Sequence, residues 1–287
     1  RKNLIINGDF QVSQRGDYSV AGAITTDAYF VDRWKAPNAT VSATYAHTDV
    51  VLPNGINTKA VRVTAGTSAS GYAQIRQPVE FNKKLVGQTV TLSAWVRTNK
   101  TTTTGFGLGL YETVGGWAIS ENSLNDGDWH FISQTRTLHT NMSSNLEVAI
   151  QNNNSWLAGE YYEVALFQLE LGSVATDFEH RSYGEELALC QRYYQLNASS
   201  TGQTYSSTVG TFAINLFTPM RDIPTAVVVA TSNKIMHIGT AYRNAVNVQA
   251  MELNTLYGGT INITMSSTAS DARHILTGGT VGFDAEL

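Results

Sequence analysis

Val90-Thr91-Leu92-Ser93-Ala94-Trp95-Val96-Arg97 alternates at every step. Successive side chains of a strand point to opposite faces, so Val90, Leu92, Ala94 and Val96 share one face and Trp95 and Arg97 the other. The same period runs through Gly105–Tyr111, where Phe106, Leu108 and Leu110 are the apolar set. Its other face is three glycines and Tyr111. In Tyr72–Arg76, Ala73 and Ile75 turn inward, leaving Tyr72, Gln74 and Arg76 outside. A strand that is apolar on one face only needs a second layer over that face, which is the economy of a β-sandwich.

Around these segments the chain reads as many short strands broken by turn signals. Asn3–Ile6 reads as a first strand, stopped by Asn7-Gly8-Asp9. Further strands are expected near Ala60–Thr64, Tyr72–Val79, Thr89–Arg97, Gly105–Glu112, Trp129–Thr137, Leu146–Gln151 and Tyr161–Leu171. Asn197–Leu287 is strand-rich again and carries only nine Arg, Lys, Asp and Glu residues. So sparse a charge set implies a surface partly covered by symmetry mates. The fold class is therefore all-β: a jelly-roll sandwich over 1–174, a connecting helix within 175–196, and a second, smaller β-sandwich over 197–287.

The helix is announced by a capping box, Ser182 with Glu185 three residues on. Continued to Leu196, it places Leu187, Cys190 and Tyr194 together, with Leu189, Tyr193 and Leu196 beside them. An apolar arc that wide needs cover from more than one side. The helix is expected to act as a packed hinge or subunit contact, with Glu185 and Glu186 serving its start.

Composition narrows the function. Charged residues are 15% of the chain against a typical value of about 25%. A net charge of -4 offers no footprint for nucleic acid, and no apolar run is long enough for membrane insertion. The single cysteine, Cys190, can form no internal disulfide and reads as a small buried hydrophobe. Six scattered histidines include no H-E-x-x-H pair, and G-x-S-x-G and P-loop motifs are absent. No catalytic residue and no cofactor is assigned. Glu121, Asp126, Asp128, Glu147 and Glu163 leave a two-carboxylate glycosidase as a minor alternative. Asp9, Asp32 and Glu163 are generic calcium candidates.

If the strands holding Trp95, Tyr72 and Tyr111 share a sheet, one outer face carries Trp95, Arg97, Tyr72, Gln74, Arg76 and Tyr111 above a glycine floor. Such a face suits sugars, which stack on aromatic rings and bond to Gln and Arg. Cover of Trp95 by a loop or by another subunit is the competing reading. Trp117 and Trp156, both in expected loops, are candidate rim contacts; Trp34 and Trp129 are expected in the core or a hinge.

Asn3-Leu4-Ile5-Ile6-Asn7-Gly8-Asp9-Phe10-Gln11-Val12-Ser13-Gln14-Arg15-Gly16 with Asp32-Arg33-Trp34 resembles the opening of sugar-binding-module-like domains in bacteriophage tail fibre and virion structural proteins. The resemblance continues through Phe167–Gly172, Ala175–Arg181, Glu185–Tyr194 and Phe217–Thr225. It implies a jelly-roll module similar to cellulose- and xylan-binding families, followed by a smaller β domain. It also implies a homotrimer on the virion exterior, whose partners are other virion proteins and host cell-surface polysaccharide. An aromatic on the concave sheet contacts glycan in such modules, and Trp95 holds a comparable position. Gln11 and Glu163-Val164 depart from the pattern at positions that help hold structural calcium there. The expected function is non-enzymatic attachment to the host surface. An architectural adaptor, capsid decoration or head fibre is the alternative, and a glycan depolymerase the third.

Overall fold

The computed structural model describes residues 2–24, 27–36, 41–68, 70–80, 83–100, 106–121, 124–142, 146–152, 155–197, 199–204, 208–229, 235–237, 242–243, 245–255, 258–265, 273–276 and 281–286. Gly105 of the alternating glycine strand lies outside the described residues. The fold is all-β apart from one short helix and a 3-10 turn. Residues Arg1–Glu186 and Leu187–Glu286 form two compact units.

The first unit holds β1 (Ala28–Tyr29), β2 (Lys35–Ala36), β3 (Ala43–Val51), β4 (Asn57–Ala65), β5 (Ile75–Val79), β6 (Thr89–Thr98), β7 (Phe106–Glu112), β8 (Gly116–Glu121), β9 (His130–Thr137), β10 (Leu146–Asn152) and β11 (Tyr161–Leu171). One antiparallel sheet runs β3-β4-β11-β6-β9 and the other β1-β2-β5-β10-β7-β8. The predicted apolar sets meet in one core: Val90, Leu92, Ala94 and Val96 of β6 pack with Phe106, Leu108 and Leu110 of β7 and with Ile75 of β5. Trp34 sits between Phe10 (4.9 Å) and Phe167 (5.1 Å) and is fully buried.

Asn3–Ile6 is not a strand. It lies along the end of β11, with Leu4 N–H donating to Leu169 O (2.8 Å) and Phe167 N–H to Gly8 O (2.7 Å). The rest of its hydrogen bonding comes from side chains. Asn3 Oδ1 accepts from Ile5 and Leu169 N–H, Gln77 bonds both ways to Ile6, and Asn7 reaches Val12 and Asp32. Side-chain amides here do the work of a neighbouring strand.

The capping box forms: Ser182 N–H donates to Glu185 Oε2 (3.0 Å) and Glu185 N–H to Ser182 Oγ (3.3 Å). The helix α1 is Tyr183–Gln191, five residues shorter than expected. A tight turn, Tyr193 N–H to Cys190 O (2.9 Å), ends it, and Tyr193 O then accepts from Ala285 N–H. Tyr194–Leu196 is a strand, β12, so Tyr194 and Leu196 never share a helical face with Leu187. Within the expected 175–196 segment the unit boundary falls inside α1: residues 175–186 bond back to the first sandwich and 192–197 to the second unit.

The second unit contains β12, β13 (Ser200–Thr204), β14 (Val209–Asn215), β15 (Thr225–Val228), β16 (Ile235–His237), β17 (Tyr242–Arg243), β18 (Ala245–Thr255), β19 (Gly258–Met265), β20 (Arg273–Leu276) and β21 (Val281–Asp284). A three-stranded sheet, β12-β21-β15, and a seven-stranded sheet, β17-β16-β20-β13-β14-β19-β18, share a core around Phe212, Ile261, Ile263 and Phe283. Cys190 and Tyr193 are buried, and Gln195 bonds through both side-chain ends to residues 191, 217 and 218.

Gly8 is a tight point of the first unit: a Cβ there would lie 2.1 Å from Phe167 O. Gly8→Ala should destabilise the first sandwich by about 1–3 kcal/mol. Denaturant unfolding followed by tryptophan fluorescence checks this; an unmoved midpoint means that the segment is not seated on β11.

Candidate functional site

The outer face of the β3-β4-β11-β6-β9 sheet builds a cleft. Its floor follows from register. Trp95 of β6 lies opposite Ala165 of β11 on one side and Phe131 of β9 on the other. The two rings meet at 5.7 Å, tilted by 55°, an arrangement favourable by about 0.5–1.5 kcal/mol. Ala60 and Ala165 are small, so a hollow remains beside the indole.

A bulge in β11, between Ala165 and Gln168, shapes the rest. Leu166 there has φ +52°, a left-handed conformation costly for a branched side chain. The extra residue lets Ala165 and Leu166 both join the outer apolar cluster while Phe167 enters the core. Bulges re-aim side chains in this way beside binding sites.

One wall is the segment after β11. Gln168 Nε2 donates to Thr176 O (3.2 Å) and Asp177 O (3.3 Å), and Gln168 Oε1 accepts from Glu179 N–H (2.8 Å). Glu170 accepts from Thr176 N–H (2.9 Å) and Thr176 Oγ1–H (2.6 Å). The wall thereby presents Phe178 and His180, whose rings meet at 5.0 Å. Opposite stands the tip of the β3–β4 hairpin with Asn54 and Ile56. The enclosed volume is about 560 Å³, with Ser93 and Asp177 among its polar lining, a size ordinary for small-ligand sites. Another hollow of about 500 Å³, along β3 and β4 near Gln11 and Lys59, has no aromatic ring in its lining.

The next row of the sheet is charged. Glu163, 2% exposed, accepts from Arg97 Nε and faces Arg62 at 3.6 Å. Arg62 stacks on Tyr161 (3.7 Å) and Arg97 on Trp129 (4.9 Å).

The expected single groove divides between two sheets. Trp95 lines the cleft and Arg97 lies in the row beside it, whereas Arg76, Tyr111 and Trp117 lie on the sheet containing β5 and β7, with Gln74 just ahead of β5 and buried rather than facing out. There Arg76 bonds Gln74 Oε1 (2.8 and 3.0 Å), faces Glu147 (3.7 Å) and lies over Trp117 (4.9 Å), which packs on Tyr111. Gly107 and Gly109 are buried, so this face has no open glycine trough. Tyr72 is half-buried ahead of β5. Trp156 is no rim residue: it is 1% exposed, with the buried Lys100 over its ring at 4.8 Å.

Two of the three calcium candidates are engaged by other groups, while Asp9 keeps one buried carboxylate oxygen without a hydrogen bond. Glu163 is engaged by two arginines, and Asp32 accepts from Gln14 through both oxygens. Among the described residues no cluster of three metal-ligating side chains occurs. Of the hinge set, Cys190, Tyr193 and Tyr194 are buried, and Leu187 and Leu189 half-buried.

Phe131, Leu166, Phe178 and His180 are the site residues that sequence reasoning missed. Phe131 follows from alternation in β9, had the β6–β9 pairing been known. The bulge and the wall leave no periodic signal.

No protein-family model and no curated protein matches this chain. Solved structures similar to it include an apo cyclase from Fischerella sp. (13% identity, TM-score 0.43, covering 61% of this chain and 98% of that one). Another is a family 16 carbohydrate-binding module (14%, 0.33, 47% and 89%). The enzymatically active domain of bacteriophage CBA120 tailspike protein 4 is a third (13%, 0.40, 59% and 21%). At these identities and TM-scores nothing of ligand or activity crosses to this chain.

The wall should respond to acid. Burial raises the Glu170 carboxyl, but the bonds from Thr176 and Gln168 and the charge of Lys2 outweigh it, holding it below 4.5. For Glu179 burial is likewise outweighed, by Asn3 and Lys2 N–H and by Arg181. Depressed carboxyls contribute stability above their unfolded pKa and lose it as pH falls through the folded one. Amides of residues 175–180 should therefore lose hydrogen-exchange protection below about pH 4. Glu170→Gln should remove protection already at neutral pH. Equal protection in both proteins at both pH values would detach the wall from Glu170.

Proposed function

We propose that this chain is a virion fibre or tail component of a bacteriophage that attaches to host cell-surface polysaccharide through the Trp95 cleft. The cleft carries this reading: an open aromatic floor, Trp95 with Phe131 at 5.7 Å, beside polar groups in a volume of about 560 Å³. Sugar rings present flat C–H faces to aromatic rings and hydroxyls to such groups. The phage part of the proposal rests on the resemblance of the Asn3–Gly16 and Ala175–Arg181 segments. In the same reading the chain works as a homotrimer on the particle exterior among other virion proteins. A weak single cleft is sufficient there, because several copies on one particle raise the effective concentration.

Affinity electrophoresis of the whole chain in gels of host polysaccharides tests the cleft. Trp95→Ala should weaken retention about tenfold or more, while Trp117→Ala, on the opposite sheet, should leave it unchanged. Equal retention of wild type and Trp95→Ala would rule out the cleft. Failure of wild type to bind any polysaccharide would favour an architectural role, as adaptor or capsid decoration.

A further inference from the structure

The charged row of the sheet lies beside the cleft floor. Arg97 is two residues from Trp95 on the same strand and the same face, a step of about 6.7 Å and thus comparable to the rise of one sugar unit. Two guanidiniums share one carboxylate: Arg62, Arg97 and Glu163 together carry a single net positive charge. The buried Glu163 fixes the pair from below, and Tyr161 and Trp129 hold the guanidinium planes by stacking. Arg62 and Arg97 keep 36% and 30% of their side-chain surface exposed. Each guanidinium has five N–H donors, and one carboxylate accepts from only a few of them, while both side chains keep part of their surface open. Such a preorganised fork is the geometry that binds planar carboxylates in bidentate fashion. A structural ion pair needs only one arginine for one glutamate; among the described residues the second pairs with no other carboxylate.

At the cleft's other wall Asp177 supplies the opposite sign. The net positive charge of the arginine row draws an anionic substituent to that side. The net single charge matches a carboxylate better than a doubly charged phosphate monoester.

We infer that the ligand is an acidic polysaccharide, one sugar ring stacking on Trp95 and Phe131 while the carboxylate of an adjoining unit sits on Arg62 and Arg97. This rests on the glycan reading of the cleft and adds the chemical class of the glycan.

The test pairs polygalacturonate, alginate, hyaluronate and polysialic acid with their carboxyl-reduced, neutral forms, and measures binding by the intact chain at low and moderate salt. Wild type should bind at least one acidic polymer about tenfold or more tighter than its reduced form, with the preference shrinking as salt rises. Two variants probe the arginines. Arg62→Gln leaves Glu163 paired with Arg97, and the double variant Arg97→Gln/Glu163→Gln removes a pair together, so that no buried charge is orphaned. Arg62→Gln brings the row to zero net charge and should erase the preference, whereas the double variant keeps the single positive charge of Arg62 without the paired fork and should only lower it; both should keep the unfolding midpoint and the affinity for reduced polymer. Equal binding of acidic and reduced forms by wild type, or a preference undiminished in both variants, overturns the acidic assignment and leaves glycan binding standing. Retention of no polymer, acidic or neutral, overturns the glycan reading itself.

Discussion

The first sandwich depends on how the backbone of residues 2–12 is satisfied without a strand partner. A buried irregular segment must find acceptors and donors for every peptide group. Beyond the two main-chain bonds to β11 and the local asparagine bonds, the partners are side chains distant in sequence. Glu179 Oε2 accepts from the N–H groups of Lys2 and Asn3, Glu186 Oε1 from Asn7 N–H (2.5 Å), and Arg181 donates to Ile5 O and Asn3 O. Arg181 also lies 3.2 Å from Glu186, pinning the first turn of α1. Trp34 closes the arrangement from the core, its indole N–H donating to Asn7 O (2.8 Å). Removing any one partner leaves a buried polar group unmatched, at a cost of about 1–3 kcal/mol. The N-terminal, post-β11 and helix-start motifs are therefore parts of one assembly.

That assembly explains what could be read from the chain beforehand. Alternation in Val90–Arg97 identifies the strand, its core face and the outward position of Trp95, because a strand's side-chain period is local. Which strands neighbour one another is not local. β5 and β7 both pair with β10, whereas β6 pairs with β11 and β9, so Trp95 and Tyr111 end on opposite sheets despite similar patterns. Asn3–Ile6 looks like a strand because it is apolar and stopped by Asn7-Gly8. The asparagine side chains that suit a turn also let it run without strand pairing. Trp156 follows an asparagine run and reads as a loop residue, yet Lys100, distant in sequence, lies over its ring. The helix overran for a local reason as well: Tyr193 and Tyr194 extend an apolar period that pairing with β21 overrides.

Among the same motifs, Gln168 and Glu170 have a double consequence. They hold residues 175–180 as the wall that brings Phe178 and His180 to Trp95, and they are buried in doing so. The part of the chain that looks purely structural in sequence thus forms half of the candidate site. The Leu166 bulge belongs to the same logic. Its strained backbone is retained because the next residue is fixed at both ends, Phe167 N–H on Gly8 O and Phe167 O on the Asn3 amide.

A division of labour follows for the cleft. Both ends of the Gln168 amide are bound to the wall, and both Glu170 oxygens are bound to Thr176, so neither residue can discriminate among ligands. Selectivity must come from groups that face the opening: Asn54, Asp177 and His180 at the rim, and the arginine row beyond Trp95. Aromatic stacking is tolerant of sugar identity, since every pyranose offers an apolar face. Charge is not tolerant, because an unmatched ion at a partly dry surface loses hydration without recompense. A tolerant floor beside a charge-selective row separates affinity from choice. Residues in the row can then change without disturbing the bulge, the wall or the buried N-terminal segment beneath them.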